Sequence, residues 1–541
     1  MTNQVKKSRL LVAKANITNK TNWLCFFAGF FLVFSYAPFS LWWLALCLPS
    51  IALYQLHKQP PKKSAKYMLC FALGWFSSGI SWVHVSIDQF GGLPLAVSLL
   101  LMLLLCLYLA LYPTLAAYLS ARLSSNKQLN LWLLPPLWLF CEYLRSVVLT
   151  GFPWLSLGYS QIDSPLNVFA PVIGEVGITA LILLINVTLA LSAYKLKQHL
   201  AQNKVGENQL NPSTSTALLK PIITPLIVLS VLTLTTTLLT NIQWISPSGK
   251  TTSIALVQGN IAQAIKWKPE QEWPTMLKYL DLTRANYDAD IIVWPESAIP
   301  TLEPAAQDYL ATVNSSALLN NSAIITGLLN YNFESKKYFN GIVVLGKKNE
   351  DDEQGYYYNH SNRYYKHHLL PIGEFVPFED FLRPIAPLFN LAMSSFSSGD
   401  YVQANIMAKG LSILPLNCFE VAFPHQLSAN LTAKTDIILT VSNDAWFGKS
   451  HGPHQHFEIA RMRALEFGRP LVRSTNNGIT GTVNHLGEVT AVLPQFEEAV
   501  LKTTVALVKG ATPYSKAPQL ILWLLIVFML ISAKAVEKRV K

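Results

Sequence analysis

Leu414-Pro-Leu-Asn-Cys418-Phe-Glu420 reads as a buried strand that runs into a sharp turn, with a thiol at the turn and a carboxylate two residues later. Cys418 is the only cysteine after Cys141. The other five (Cys25, Cys47, Cys70, Cys106 and Cys141) all lie in apolar runs of the first third. A lone thiol facing an oxidising compartment has no disulfide partner, so it is either a reactive group or a small buried hydrophobe. Its compartment and its neighbours decide between the two.

Outward from this strand, short β-rich runs alternate with amphipathic stretches. The runs are 254–258, 291–294, 323–327, 342–345, 411–416, 437–442, 471–473 and 479–483, and helical spacing fits about 275–287, 304–317 and 454–468. Interleaved strands and helices between 245 and 512 predict one α/β domain, with no internal sequence repeat.

The flanks differ in kind. With 51% hydrophobic and 13% charged residues over 541, the whole chain is too apolar for an ordinary soluble protein. Of its 42 Lys+Arg and 31 Asp+Glu, 21 and 25 lie between 245 and 512, leaving 21 basic against 6 acidic residues in the apolar flanks. The positive excess therefore belongs to the apolar part, which is a membrane signature and not a nucleic-acid footprint. Runs long enough to cross about 30 Å of hydrocarbon recur near 23–38, 40–56, 67–87, 92–121, 129–147, 165–194, 221–243 and 517–533. The basic start (Lys6, Lys7, Arg9, Lys14, Lys20) resembles a signal peptide, but a second span follows without a small-residue cleavage site, so it reads as a retained anchor.

Loop charge sets the orientation. Lys58, Lys62, Lys63 and Lys66 follow span two; Arg122 and Lys127 follow span four; Lys195, Lys197, Lys204 and Lys220 follow span six. Lys534, Lys538, Arg539 and Lys541 end the chain. With both termini cytoplasmic, only Arg145 and Lys516 fall on the outer side. The expected fold is a polytopic α-helical membrane domain of eight spans plus an extracytoplasmic α/β domain. Its divisions are 1–244 for spans one to seven, 245–512 for the outer domain, and 513–541 for span eight and a cytoplasmic tail. The polar stretch 198–215 is a flexible loop.

Four patches of the outer domain carry reactive side chains. Trp294-Pro-Glu296 delivers a carboxylate at a strand end, where α/β sites lie. Tyr364-Tyr-Lys366-His-His-Leu-Leu-Pro-Ile-Gly-Glu374 holds a lysine and a second carboxylate. Asn417-Cys418-Phe-Glu420 is the third, and Ser442-Asn-Asp-Ala-Trp446-Phe-Gly448 follows another buried strand. Singly, each reads as an ordinary surface Glu, solvated Lys or core Cys.

In this order they resemble the nitrilase (carbon–nitrogen hydrolase) superfamily, which implies a Glu–Lys–Cys triad of Glu296, Lys366 and Cys418 on an α-β-β-α sandwich. Such a domain placed before the last of eight spans is similar to the apolipoprotein N-acyltransferase family of bacterial inner membranes. Further stretches resemble that family. They are Val257-Gln-Gly-Asn-Ile261 with Lys266-Trp267, Met393-Ser-Ser-Phe396 with Gly399-Asp400, and Arg463-Ala-Leu-Glu466 with Gly468-Arg-Pro470. Ser81-Trp-Val-His-Val-Ser-Ile87 and Gly151-Phe-Pro-Trp154 with Gly158-Tyr-Ser-Gln161 do so in the membrane part.

The chemistry stands apart from the name. A thiol near 8.5 and a glutamate near 4.3 differ by about four units, roughly 6 kcal/mol against proton transfer. Burial raises a carboxylate and a nearby ammonium lowers a thiol, the two opposite corrections that Glu296 and Lys366 supply if they flank Cys418. The ammonium and the Phe419 N–H can face an oxyanion.

The resemblance implies that Glu296 takes the thiol proton while Cys418 attacks a phospholipid acyl ester, with phosphatidylethanolamine the expected donor. The thioester then passes its acyl chain to the α-amine of a diacylglyceryl-cysteine apolipoprotein, in a ping-pong scheme. Glu374 and Glu420 are expected to hold Lys366 and the amine, and Trp267 and Trp446 to line the acyl or head-group pocket. Phe419 stands where the family commonly carries tyrosine. The expected enzyme is a monomer of the inner membrane with a periplasmic catalytic domain, needing no cofactor and no nucleic acid.

Other signals are weaker. His451, His454 and His456 lack the ligand pattern of a known zinc site, and Gly452-Pro453 favours a helix start there, so no metal is expected. Glu142 and Arg145, three apart in span five, are expected to pair and to position the domain. A membrane-tethered amidase would use the same triad with water as acceptor, but a tether needs one span. A transporter is disfavoured by the scarcity of ionisable residues in the spans and the lack of an inverted repeat.

Overall fold

The computed structural model describes residues 20–205, 214–371, 373–375 and 396–540. Lys6, Lys7, Arg9 and Lys14, and Met393-Ser-Ser of one motif, lie outside the described residues. The chain forms two compact units. One holds Met1–Ser81, Leu99–Ile242 and Gln519–Lys541; the other holds Trp82–Ser98 and Gln243–Pro518.

The first unit is helical. Among the described residues, five helices are long and apolar enough to cross a membrane: Leu95–Arg122, Leu131–Thr150, Pro165–Ala201, Ile223–Thr240 and Pro518–Arg539. The pair Pro61–Gly79 and Val83–Phe90, bent by 55°, would make a sixth, and Lys20–Ser35 and Trp42–Leu56 are shorter apolar helices. Leu226, Ile227, Leu229, Leu234 and Leu238 stand exposed on one helix, and an apolar surface of that extent suits lipid better than water. Where helices cross, small residues let backbones meet. A methyl on Gly29 would lie 1.9 Å from the Phe71 carbonyl oxygen, and one on Gly74 2.0 Å from that of Phe26. Glu142 and Arg145 pair as expected. Arg145, fully buried, also donates to the carbonyls of Phe152 at 2.6 Å and Trp154 at 2.7 Å, so its charge anchors the Gly151-Phe-Pro-Trp154 turn.

The expected third apolar run, 67–87, is not one element. The helix ends at Gly79, and Trp82–Ser98 joins the α/β unit. The Trp82 indole donates to Gln455 Oε1 at 3.1 Å and its ring meets Phe447 edge-on at 4.6 Å, partners that hydrocarbon cannot offer.

Among the described residues the α/β unit has twelve strands: β1 (Ile245–Gln258), β2 (Ile291–Val293), β3 (Ala323–Asn332), β4 (Lys337–Gly346), β5 (Arg363–Tyr365), β6 (Ile406–Ala408), β7 (Leu411–Asn417), β8 (Ile437–Ser442), β9 (Leu471–Thr475), β10 (Gly481–Val483), β11 (Val489–Val492) and β12 (Ala499–Gly510). They form two six-stranded sheets, β12-β1-β2-β3-β4-β5 and β11-β10-β9-β8-β7-β6. In each, three consecutive parallel strands are flanked by antiparallel ones: β1, β2 and β3 in the first, β7, β8 and β9 in the second. The unit is thus a topological duplication without a sequence repeat, because short apolar triplets carry no recognisable period.

Alternation along the strands places the core. Ile254, Leu256, Ile291 and Val293 face one way, packing with Ile413, Ile437, Leu439 and Val472 of the other sheet. Ala255, Val257, Ile292 and Trp294 face the opposite way, packing with Met276, Tyr279, Leu310 and Val313 of the helices Pro269–Arg284 and Gln307–Leu319. Helix Gly452–Phe467, nearly all buried, accompanies the second sheet. This is the expected α-β-β-α sandwich.

Candidate active site

The reactive side chains all stand just past the ends of core strands. Cys418 directly follows β7 in the left-handed region at φ +54°, where a non-glycine residue is strained, and it opens the short turn Cys418–Ala422. Glu420 clamps that turn. Its carboxylate accepts from the backbone N–H of Asn417 (2.8 Å), His367 (2.8 Å) and His368 (3.1 Å), from the Tyr364 hydroxyl (2.8 Å) and from Gln426 (3.0 Å). Glu420 is fully buried. Its acceptor capacity is thus spent on the two segments that carry Cys418 and Lys366, not on an ammonium. The placement of Glu420 therefore departs from the expectation that it holds Lys366 or the amine.

Glu296 follows β2 and meets the Gly327 backbone of β3 closely: a methyl on Gly327 would lie 2.7 Å from the Glu296 Cα. Lys366 follows β5, with Nζ 2.8 Å from Glu374 Oε2 and 3.7 Å from Glu296 Oε1. Burial works against the ammonium, but the Glu374 and Glu296 carboxylates outweigh it and hold its pKa above the ordinary value. Lys366 thus stays charged. Asn340 ties the cluster together. Its Nδ2 donates to Glu296 Oε1 (2.9 Å) and Glu374 Oε1 (2.8 Å), while its Oδ1 accepts from Asn417 beside the thiol (2.9 Å). The other Glu296 oxygen accepts from the Asn443 N–H at 3.0 Å. Lys266, almost fully buried, donates to the Glu296 carbonyl at 3.3 Å, and burial pulls its ammonium down to about 8 against the attraction of Glu296.

Burial raises the Cys418 thiol far above its ordinary value, Glu296 raises it further, and Lys366 opposes. The three side chains are close enough to act on one another electrostatically. In the resting state the thiol keeps its proton.

Behind the thiol stands a second charged group. Asp444, fully buried, accepts from Arg473 Nη2 at 2.8 and 3.1 Å and from the Ser442 hydroxyl at 2.7 Å. Burial works against its charge, but Arg473 and His456 outweigh it and hold the carboxyl below the usual range. Burial and Arg473 push His456 below its ordinary value; its Nδ1 lies 2.9 Å from Arg473 Nη2 and 3.2 Å from Asp444 Oδ1, and its Nε2 hydrogen-bonds the Cys418 carbonyl at 3.1 Å. Asp444→Asn leaves the Arg473 guanidinium uncompensated inside the fold and should cost about 3–5 kcal/mol. Because Asp444 is depressed in the folded state, its stabilisation is present above pH ~4 and drains as pH falls through the lowered folded value. Thermal denaturation should therefore show a Tm lower by about 10 °C at pH 7, with the gap to the parent narrowing below pH ~4. An equal Tm at pH 7 would disprove the assignment.

The supporting residues divide. Glu374 sits in the ion cluster. Phe419 is buried against Phe423 and His368. Trp267 and Trp446 are 38% and 41% exposed, Trp446 with its ring edge-on to Phe90 at 5.4 Å and its carbonyl accepting from Ser86 at 2.7 Å. Ser442 and Asp444 lay in the fourth patch but were given no role, His456 was weighed only as a metal ligand, and Asn340 and Arg473 were not singled out in the sequence. The one available signal for Asn340 and Arg473 was a polar side chain beside a short apolar run, Ile342–Leu345 and Leu471-Val472 respectively. The three histidines do not converge on a metal: His456 turns inward to Asp444 and His454 approaches Gln495 at 3.5 Å. Among the described residues no group of three His, Cys, Asp or Glu side chains is placed to hold an ion.

A thiol on a strand-end turn beside a Glu–Lys–Glu cluster, on a duplicated α-β-β-α sandwich, defines a nitrilase-type domain, and the carbon–nitrogen hydrolase family model matches residues 253–512. Residues 28–188 match the apolipoprotein N-acyltransferase N-terminal domain. The apolipoprotein N-acyltransferase of Vibrio cholerae is 48% identical over 90% of this chain and 92% of its own. That of Shewanella oneidensis is 47% identical over 92% of each, and that of Pseudomonas syringae pv. tomato 35% over 91% of this chain and 92% of its own. The chain belongs to the apolipoprotein N-acyltransferase family.

Proposed function

We propose that this chain is the bacterial inner-membrane enzyme that N-acylates apolipoproteins, with Cys418 holding the acyl chain between two substrates. The observation that carries this reading is the strained, hydrogen-bonded Cys418 thiol set beside the Glu296–Lys366–Glu374 cluster. Glu296 takes the thiol proton as Sγ attacks the ester carbonyl of a phospholipid, then gives it to the departing lysophospholipid oxygen. The α-amine of the diacylglyceryl-cysteine attacks the thioester and loses a proton to Glu296, which returns it to the Cys418 sulfur. Lys366 and the Phe419 N–H face the oxyanion in both steps. Trp267 and Trp446 line the lipid pocket. The donor is phosphatidylethanolamine, and the enzyme works as a monomer.

The eight-span arrangement belongs to this proposal. The five long helices and the two shorter apolar helices coincide in position with seven of the eight apolar runs, and the bent pair Pro61–Gly79 and Val83–Phe90 overlaps the third. The distribution of lysine and arginine supports cytoplasmic termini and a periplasmic domain over 245–512, between a membrane part over 1–244 and a last span with its tail over 513–541. The match over 28–188 favours lipid acyl transfer over the water-accepting amidase.

Peptide mass spectrometry of the protein taken from membranes tests the reading. A fatty-acyl adduct on Cys418, discharged by adding an apolipoprotein amine, is the expected result. Persistent absence of the adduct with phospholipid supplied would leave the amidase.

A further inference from the structure

One motif is only partly used by this mechanism. Ser442-Asn-Asp444 starts on the last residue of β8, and the Ser442 hydroxyl lies within reach of two acceptors, Asp444 Oδ1 at 2.7 Å and Cys418 Sγ at 3.2 Å. A serine has one hydroxyl proton, so it serves one acceptor at a time. Asp444 is not left bare when that proton turns away, because Arg473 Nη2 still donates to both of its oxygens. Ser442 is fully buried, which removes water as a competing partner.

We propose that Ser442 is a catalytic residue that switches its single O–H between Asp444 and Cys418, donating to the sulfur whenever it carries negative charge. The inference rests on Cys418 as the acyl carrier. With a protonated thiol the hydroxyl points to the Asp444 carboxylate, the stronger acceptor. As Glu296 removes the thiol proton, the hydroxyl rotates to the thiolate, and no proton leaves Ser442. Formation of the S–C bond discharges the sulfur and the hydroxyl returns to Asp444. When the amine displaces the acyl chain, the C–S bond breaks with its electron pair on sulfur. Ser442 then donates to the leaving thiolate until the proton taken from the amine returns from Glu296. The donor assists both steps at one atom, one that Lys366 serves only electrostatically.

The groups that face the sulfur from the packed elements are Glu296 after β2, Lys366 after β5 and Asp444 after β8, with His456 bound to the Cys418 carbonyl. Burial, Glu296 and Asp444 all oppose a thiolate, while Lys366 and the Ser442 hydroxyl favour it. Removing one of two favourable groups must show in the thiol itself.

The test is alkylation of Cys418 by iodoacetamide across pH in the full-length protein, read at the Cys418 peptide, for the parent, Ser442→Ala and Ser442→Thr. Ser442→Ala should shift the alkylation profile up by about one pH unit and slow alkylation about tenfold at a fixed pH below the transition. It should also slow single-turnover acylation and aminolysis each about 10–100-fold. Ser442→Thr, which keeps the hydroxyl, should recover most of both. A parent-like alkylation profile in folded Ser442→Ala would overturn the inference, since a merely structural serine would lower Tm and leave the profile unmoved. An equal loss in Ser442→Thr, which folds with the parent's Tm, would overturn it as well. The parent's own acyl adduct on Cys418 reports separately on the proposed function, so a failure of that reading is distinguishable from a failure of this one.

Discussion

Cys418→Ala should abolish acyl transfer while leaving the fold intact. The sulfur is the one atom that can hold the acyl chain between substrates, so the variant should carry no adduct and release no lysophospholipid. In enzymes built on a covalent nucleophile, its removal costs about 10⁴-fold or more, because the remaining groups have nothing to activate. Glu296, Lys366 and Asn340 would stay bonded to one another, and the Ser442 hydroxyl would rest on Asp444. A Tm within a few degrees of the parent is therefore expected. Radiolabelled phospholipid chased with an apolipoprotein amine reads both half-reactions. Transfer within tenfold of the parent would mean the two substrates react directly, and the covalent scheme would be wrong.

Lys366→Met should damage both stability and rate. The ammonium is almost fully buried between Glu374 and Glu296, and both carboxylates share the Asn340 amide. Without it, the two carboxylates lose the ammonium they share and only Lys266, beside Glu296, remains as a nearby cation, a defect of about 3–5 kcal/mol. The lysine is raised in the folded state, so its stabilisation is fully present below its ordinary value near 10.4 and is lost only as pH rises through the higher folded one. The cluster is therefore intact at every physiological pH, and the Tm deficit of the variant should stay flat from pH 6 to 9. The thiol also loses the cation that offsets its burial, so acylation should fall about 10³-fold. Single-turnover acylation and a Tm series across pH check the two effects. A variant with normal acylation would remove Lys366 from the site.

Much of the α/β domain was legible as short apolar runs. The strands expected at 437–442 and 411–416 appear as β8 and β7, and the three helical patterns appear as helices with ends shifted by a few residues. The missed strands β5, β6 and β11 are three or four residues long. At that length period-two alternation cannot be told from chance, and pairing with a neighbour supplies the order. β12 was missed for another reason. Its burial alternates weakly because it is an edge strand, held by a long antiparallel register against β1.

Glu296, Lys366, Glu374 and Cys418 were named from three separate patches, and the fold brings them together at strand ends. Glu420 was named with them, but the fold gives it backbone N–H groups to bind. A carboxylate two residues past a turn caps that turn, and no spacing rule distinguishes a cap from a ligand. Trp82–Ser98 shows the same limit on a larger scale. Its hydropathy continues the preceding apolar helix, yet the segment folds against the Trp446–Gln455 stretch of the α/β unit.

By itself the sequence determined the alternation of strands and helices between 245 and 512, the apolar runs around it, and the chemical identity of the three reactive groups. These are local properties, written in periodicity, charge and residue type. Only the tertiary structure decided which polar groups meet. Asn340, Ser442 with Asp444, His456 and Arg473 come from four separate stretches of chain and acquire their roles from burial, where a donor without an acceptor is too costly to persist. That requirement operates across distances no sequence window covers, and it sets the surroundings of the Cys418 sulfur.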